Sequence, residues 1–182
     1  MIGSVEISSQ LPRVKSVLAV CAHPDDESFG LGGALSAFSD SGSATSVVCF
    51  TRGEASTLGQ DASSLGRVRS DELRNAAVEL GVGYVELFDY PDGGLAGQRL
   101  DVLALQVFEV ADRVRADLLL VFDDGGITGH PDHQRATESA LACAEHSDLP
   151  VLAWALDEAV APSLNGGLAG LSAHARAMSP GS

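Results

Sequence analysis

The chain has 182 residues, a hydrophobic content of 45% and a net charge of −14, which together describe one folded, acidic domain. That charge argues against nucleic acid and anionic membrane surfaces as partners, because both are bound by clustered basic side chains. The sequence has no apolar stretch of the roughly 18 residues that a membrane span needs, and its beginning lacks the features of a signal peptide. Together with three cysteines, an odd number, this predicts a cytoplasmic protein with free thiols.

Five short apolar segments predict the strands of a parallel sheet. The first of them, SVLAVCA, shows no polar alternation, which is typical of a parallel strand covered on both faces. The predicted strands are 16–22, 44–51, 84–90, 117–124 and 150–156.

Helical patterns separate these strands along the chain. They cover 30–42, 67–82, 99–116 and a segment that ends near residue 146. The regular alternation of strand and helix predicts a single α/β domain over residues 1–182, with right-handed crossovers. We expect a loose leader at 1–14 and a mobile loop at 52–66, and the pattern assigns no structure to 157–182.

A polar cluster follows each of the first four predicted strands. In chain order these clusters are HPDDE, TRGE, DYPDGG and DDGGITGHPDH. Since the carboxyl ends of parallel strands meet at one edge of the sheet, side chains about 100 residues apart are expected to face one cavity.

The first and last of these clusters contain the residue types of a catalytic zinc site. Such a site takes three protein ligands from histidine and carboxylate side chains and leaves one position open. His23 and Asp26 are three residues apart in a strand-to-helix turn, and either His130 or His133 would supply the third ligand. A carboxylate outside the ligand set, such as Asp25, would act as general base, and the remaining histidine as acid or oxyanion donor.

A purely structural explanation is also open for each residue. Asp25 or Asp26 would cap the helix that follows, and Asp123 and Asp124 would either brace a ligand histidine or lie on the surface. A second His-Pro-Asp element at the end of another parallel strand is hard to explain by capping, so the pattern favours a shared metal site.

The same residues resemble the motifs of the PIG-L/LmbE family of zinc-dependent N-deacetylases. The resemblance rests on AHPDDESFGLGG (22–33), TRGE (51–54), RSDEL (69–73) and GHPDH (129–133), and it covers roughly residues 16–156. It implies a Rossmann-like fold with a mostly parallel sheet of five or more strands and helices on both faces. It also implies removal of an N-acetyl group from a small amino-sugar conjugate, such as an N-acetylglucosaminyl compound, with Zn²⁺ or another divalent ion such as Fe²⁺.

The family motifs carry roles to matching positions of this chain. The resemblance makes His23, Asp26 and His133 the metal ligands, Asp25 the general base, and His130 an electrophile or general acid.

Arg69 of the R-x-x-E-L element and Asp92 of the loop after the third strand would, by the same resemblance, contact the sugar. Some members carry an aromatic hydroxyl where this chain has Thr128, and the element AHARA keeps only His174 of a histidine motif that many members carry near their end. The shortness of the chain is compatible with an open site or with a homo-oligomer whose neighbouring subunit completes the pocket.

Two other functions fit part of the pattern. Two histidines and one carboxylate also form the facial triad of non-haem iron oxygenases, and a non-catalytic relative would keep the same metal site. Asp25 beside the ligand Asp26 favours hydrolysis, because an oxygenase has no need of that base.

Overall fold

The computed structural model describes residues 5–8, 11–55, 62–155 and 174–178, of which the first and last ranges are backbone strands. It contains a seven-stranded sheet with the order β1-β7-β6-β5-β2-β3-β4. Five neighbouring strands, β6 to β4 in that order, are parallel, while β7 is antiparallel to β6 and to β1. The strands are β1 Val5–Ser8, β2 Ser16–Cys21, β3 Ala44–Thr51, β4 Tyr84–Tyr90, β5 Leu118–Phe122, β6 Val151–Ala155 and β7 His174–Met178.

The helices alternate with the parallel strands, as the sequence predicts. They are α1 Asp26–Phe29, α2 Gly32–Asp40, α3 Ala62–Glu79, α4 Leu100–Val114, α5 Gly126–Gly129 and α6 Pro131–Ser147, with a 3₁₀ turn at Leu95–Gly97. The α/β class, the mostly parallel sheet and the five parallel strands are confirmed.

The ends of the chain and one loop differ from the sequence prediction. Val5–Ser8 is a strand within the predicted loose leader, because its backbone pairs with β7. Helix α3 begins at Ala62, inside the predicted loop 52–66. The strand at Val5–Ser8 depends on a pairing partner that is far away in sequence, and local periodicity carries no information about such pairing.

Helices cover both faces of the sheet. Side chains of one face, such as Leu18, Val20 and Phe50, belong to a buried cluster with residues of α4 and α6. Their neighbours on the other face, such as Val17 and Ala19, belong to a cluster with residues of α2 and α3. Every residue of β2 is buried, which explains why its sequence lacks polar alternation.

The order of the strands reverses between β2 and β5. The chain runs outward from β2 through β3 to β4, and then returns to pair β5 with the other side of β2, followed by β6. In open parallel sheets, the crevice beside the carboxyl ends of two such strands is the usual place for a ligand. The two His-Pro-Asp elements follow β2 and β5 and therefore lie at this crevice.

The three cysteines are buried free thiols, as predicted, and Cys21 and Cys49 are paired in register on neighbouring strands. No helix in the described ranges combines the length and the apolar character needed to cross a membrane.

Truncation of a core side chain in the sheet should be costly. Leu120 of β5 is 1% exposed, so Leu120→Ala is expected to lower the free energy of unfolding by about 2–5 kcal/mol. Leu105→Ala, on α4, is the matched control, since Leu105 is 56% exposed and its truncation should change that free energy by about 0.5 kcal/mol or less. Urea denaturation followed by circular dichroism measures both, and equal losses would contradict the assignment of the core.

Candidate active site

Two strand-to-helix turns on either side of the strand reversal bring the histidines together. The turn after β2 carries His23, the connection after β5 ends at His130, and His133 lies in the first turn of α6. The ring centroids of His23 and His130 are 4.9 Å apart, and those of His23 and His133 are 5.0 Å apart. The expectation that residues about 100 positions apart face one cavity is therefore met.

His133 lies between the other two predicted metal ligands. Its Nε2 is 3.1 Å from His23 Nδ1 and 3.1 Å from Asp26 Oδ1. On the other side of the ring, Nδ1 lies 2.9 Å from the carbonyl oxygen of Gly126. A hydrogen bond from Nδ1–H to that carbonyl leaves the lone pair of Nε2 directed toward His23 and Asp26.

Backbone amides fix the carboxylate of Asp26. Its Oδ2 accepts hydrogen bonds from the amides of Ala22 (2.9 Å) and His23 (3.0 Å), and the residue is 5% exposed. The second oxygen, Oδ1, faces His133. A buried carboxylate held in this way keeps one oxygen free for a cation.

His130 caps helix α6 with its own ring. Its Nδ1 accepts a hydrogen bond from the amide of Asp132 at 3.2 Å. Since Nδ1 is the acceptor, the neutral ring carries its proton on Nε2. Together with His23 and His133, His130 forms a group whose ligand atoms lie within 4.8 Å of one another.

Asp25 is held in an unusual backbone conformation at the edge of the cavity. Its φ is 127°, a positive value that side-chain-bearing residues rarely adopt, and its amide donates to Glu27 Oε2 at 2.9 Å. The guanidinium of Arg69 lies 2.8 Å from Asp25 Oδ2 and also reaches the carbonyl of Pro24. Burial raises the pKa of Asp25 above its ordinary value, and Arg69 counteracts part of that rise.

Asp92 faces the far side of the His23 ring. Its Oδ1 is 3.0 Å from His23 Nε2, and its Oδ2 accepts a hydrogen bond from the amide of Ala55 at 2.9 Å. The amide of Asp92 in turn donates to Glu54 Oε1 at 2.9 Å. These two bonds fasten the loop after β4 to the loop after β3 and hold Asp92 against the histidine.

Asp132 is the functional residue that the sequence did not single out. It is 0% exposed, and its carboxylate accepts hydrogen bonds from the amides of Gly93, Leu95 and Ala96. Its Oδ2 is also 3.4 Å from His23 Nε2. In sequence it looks like an ordinary acidic residue in the first turn of a helix, and only the packing of the loop after β4 shows its role.

The site opens into a cavity of about 610 Å³, a size typical of small-molecule pockets. All seven predicted site residues line it: His23, Asp25, Asp26, Arg69, Asp92, His130 and His133. Its remaining lining includes the apolar side chains of Phe29, Phe122 and Ile127. The structure thus brings the predicted residues together, although it does not by itself assign their roles.

Two of the separations within the proposed donor set of His23, Asp26 and His133 suit a zinc ion. Zinc bonds of about 2.0–2.2 Å in a tetrahedral arrangement place ligand atoms about 3.3 Å apart, close to the two 3.1 Å separations around His133 Nε2. His23 Nε2 is buried and makes no well-aligned hydrogen bond, although Asp92 and Asp132 lie 3.0 and 3.4 Å away. If Nδ1 holds a metal, the Nε2–H faces these two carboxylates, as is common for metal-bound histidines.

Negative charge at the site exceeds positive charge. Within the part of the chain that the structure describes, Arg69 is the only arginine or lysine paired with a carboxylate of the cavity. The carboxylates there are those of Asp25, Asp26 and Asp92, with the buried Asp132 behind them. A buried excess of carboxylates is stabilised by a bound cation.

Comparison with known families gives a match over most of the chain. Residues 18–144 match the model of PIG-L, described as GlcNAc-PI de-N-acetylase. The chain belongs to the PIG-L family. The resemblance stated from the sequence motifs is confirmed, and the matched segment contains all the residues of the candidate site.

Similar proteins are deacetylases of amino-sugar conjugates. The 1D-myo-inositol 2-acetamido-2-deoxy-α-D-glucopyranoside deacetylase of Saccharomonospora viridis is 34% identical over 72% of this chain and 59% of its own length. The N,N'-diacetylchitobiose deacetylase of Pyrococcus horikoshii is 27% identical, with a TM-score of 0.66 over 74% of this chain and 51% of that one. The chain spans about half the length of these two deacetylases.

A further similarity concerns the fold alone. The 4-carboxy-2-hydroxymuconate hydratase of Pseudomonas putida KT2440 is 21% identical, with a TM-score of 0.65 over 93% of this chain and 97% of that one. Since a hydratase and deacetylases share the architecture, the residues of the site must identify the reaction.

Two positions raised by the motif comparison lie outside the described part of the structure. They are Thr128 and His174, whose side chains are not among the described parts. The backbone of His174 is described and begins β7.

Removal of the Asp132 charge should loosen the loop after β4. Asparagine offers one acceptor oxygen in place of two, so Asp132→Asn leaves part of the Gly93, Leu95 and Ala96 amides without their acceptor and should cost about 2–4 kcal/mol of stability. Amide hydrogen exchange in that loop should accelerate as well. Asp124→Asn is the control, since Asp124 is an exposed acid near the same edge of the sheet, and equal behaviour of the two variants would contradict this role.

Proposed function

We propose that this protein is a zinc-dependent hydrolase that removes the N-acetyl group from a small N-acetylglucosaminyl conjugate. The observation that carries the proposal is that His133 Nε2 lies 3.1 Å from both His23 Nδ1 and Asp26 Oδ1, in a cavity that a second carboxylate, Asp25, also lines. Membership of the PIG-L family and the deacetylase relatives support the same reaction.

His23, Asp26 and His133 would hold the zinc ion. We choose Asp26 over His130 as the third ligand because the buried Asp26 oxygen needs a cation, whereas His130 already uses Nδ1 to cap α6. A zinc ion held there supplies Lewis acidity, which activates water as a nucleophile and polarises an amide carbonyl.

Asp25 would act as the general base. Its Oδ2 is fixed by Arg69, which leaves Oδ1 as the oxygen available to take a proton from the attacking water. Burial raises its pKa, and a carboxylate with a raised pKa accepts a proton more readily at neutral pH. The Arg69 contact counteracts part of this rise in pKa.

His130 would act on the substrate amide from the side opposite the general base. Because Nδ1 accepts the Asp132 amide, Nε2–H is the donor available to the cavity. A donor in this place can stabilise the developing oxyanion or protonate the departing amine. The chain thus offers one proton acceptor and one proton donor around the same space.

Arg69 and Asp92 would contact the sugar, since both reach the cavity wall. Each is fixed by another group, Arg69 by Asp25 and Asp92 by the amide of Ala55. A hydroxyl group of the sugar would therefore meet a preorganised donor and a preorganised acceptor, which lowers the cost of binding. We propose the substrate class on this basis and not the individual substrate.

The Asp25→Asn substitution tests the general base. Asparagine keeps the shape of the side chain but cannot accept the proton, so kcat should fall by about 10²–10⁴-fold while zinc content is unchanged. Acetate release from a panel of N-acetylglucosamine conjugates, paired with metal analysis, measures both. Asp124→Asn serves as the exposed control, and full activity of Asp25→Asn would refute the assignment.

Metal dependence can be tested independently. Chelator-treated protein should release no acetate and should recover on addition of one equivalent of zinc. His133→Ala removes the ligand that contacts both others, so zinc affinity should fall by at least about 100-fold, measured by competition with a chromophoric chelator. His146→Ala, an exposed histidine at the other end of α6, should leave that affinity unchanged.

The same experiment separates hydrolysis from iron oxygenase chemistry. Restoration of acetate release by zinc under nitrogen agrees with hydrolysis. Activity that appears only with Fe²⁺ and oxygen would favour the facial-triad alternative.

A further inference from the structure

The turn after β5 contains a strained residue at the wall of the cavity. Positive φ angles occur at Gly126 (63°), Ile127 (56°) and Gly129 (73°). Glycine adopts such angles at no steric cost, whereas a β-branched residue is a genuine outlier there. With ψ at −43°, Ile127 lies near the rare γ-turn conformation.

The conformation of this turn positions two backbone groups, but neither contact requires isoleucine at position 127. The turn directs the Gly126 carbonyl at His133 Nδ1, and the Ile127 amide donates to Asp123 Oδ1 at 3.2 Å. Glycine at position 127 would make both backbone contacts without strain. Backbone strain tends to persist at functional sites, so the role of Ile127 must lie in its side chain.

The Ile127 side chain lines the cavity together with two aromatic residues. It packs against the apolar cluster that contains Phe122, and the Phe122 ring lies 5.2 Å from the ring of His133. A Cβ atom on Gly30 would overlap the Phe122 ring, so this ring abuts the chain directly beside Phe29. Ile127, Phe122 and Phe29 are the large apolar side chains of the cavity lining, and we call them its apolar wall.

Phe29 extends this wall to the mouth of the cavity. It is 90% exposed, although a side chain of its size is usually buried. The cavity lining also contains the polar side chains of Arg69, Asp25 and Asp92, which we call its polar wall. A ligand that fits both sides has a hydroxylated part for one wall and an apolar part for the other.

We propose that Ile127 is a specificity-determining residue, and that the apolar wall of Ile127, Phe122 and Phe29 binds an apolar substituent on the amino-sugar substrate. This inference rests on the proposed function and narrows its substrate class to conjugates that carry such a group. The group can belong to the aglycone or to a longer acyl chain, because either would bury apolar surface against the wall.

A binding experiment tests the aglycone without requiring turnover. Methyl and benzyl glycosides of glucosamine, which have no acyl group to lose, are titrated into zinc-loaded protein by calorimetry. The benzyl glycoside should bind on the order of 10-fold more tightly than the methyl glycoside. Ile127→Gly, which removes both the side chain and the backbone strain, should abolish most of that preference.

A kinetic experiment tests the acyl chain. The ratio of kcat/KM for N-butanoyl-glucosamine over N-acetyl-glucosamine is measured for the wild type and for Ile127→Gly. Phe29→Ala provides a second variant at the exposed end of the wall. Val78→Ala is the matched control, because Val78 is an apolar residue of α3 that is 76% exposed and lies outside the residues lining the cavity.

A preference for the larger apolar group in either experiment, lost in Ile127→Gly and kept in Val78→Ala, supports the inference. Equal affinity for the two glycosides together with equal kcat/KM for the two acyl substrates overturns the inference. A preference that Ile127→Gly retains overturns it as well, and so does failure of the protein to bind either glycoside. Absence of acetate release from every conjugate would instead refute the proposed function, and the calorimetric result would still decide the role of Ile127.

Discussion

The site depends on the reversal of strand order between β2 and β5. Because both strands are parallel and adjacent, the turns that follow them emerge side by side at one edge of the sheet. His23 leaves one turn and His133 the other, and the two rings meet although 110 residues separate them. Asp92 in the loop after β4 contacts the His23 ring, and the amide of Ala55 in the loop after β3 holds Asp92.

Buried negative charge organises the surroundings of the histidines. Asp26 and Asp132 are almost completely buried, and backbone amides solvate both carboxylates. These amides satisfy the two carboxylates only in part. The carboxylate oxygens that face the histidines therefore attract a cation or a protonated histidine. Asp132 also ties the loop after β4 to helix α6 and lies beside the His23 ring, so the order of that loop and the position of His23 depend on one carboxylate.

The cavity combines two kinds of wall around this charged centre. The polar wall presents groups that are already fixed by partners, such as Arg69 on Asp25. The apolar wall includes Ile127, whose backbone conformation a glycine would tolerate better. We expect the first wall to be suited to hydroxyl groups, and the second to distinguish substrates by their apolar part.

The amino-acid sequence by itself determined the class of fold and the residues that converge. Apolar segments without alternation identified the parallel strands, and the position of His23 and His133 after two of them implied one site, because strand ends share an edge. The roles assigned to these residues came from motif resemblance and stay predictions until the variants are measured.

Only the tertiary structure decided the partners of each side chain. Asp132 looks in sequence like an ordinary acid in the first turn of a helix, yet it accepts hydrogen bonds from the amides of a loop about 40 residues earlier in the chain. Arg69 contacts Asp25, and Val5–Ser8 becomes a strand by pairing with β7. Local propensity and spacing cannot foresee these contacts, because each depends on the packing of segments that are distant in sequence.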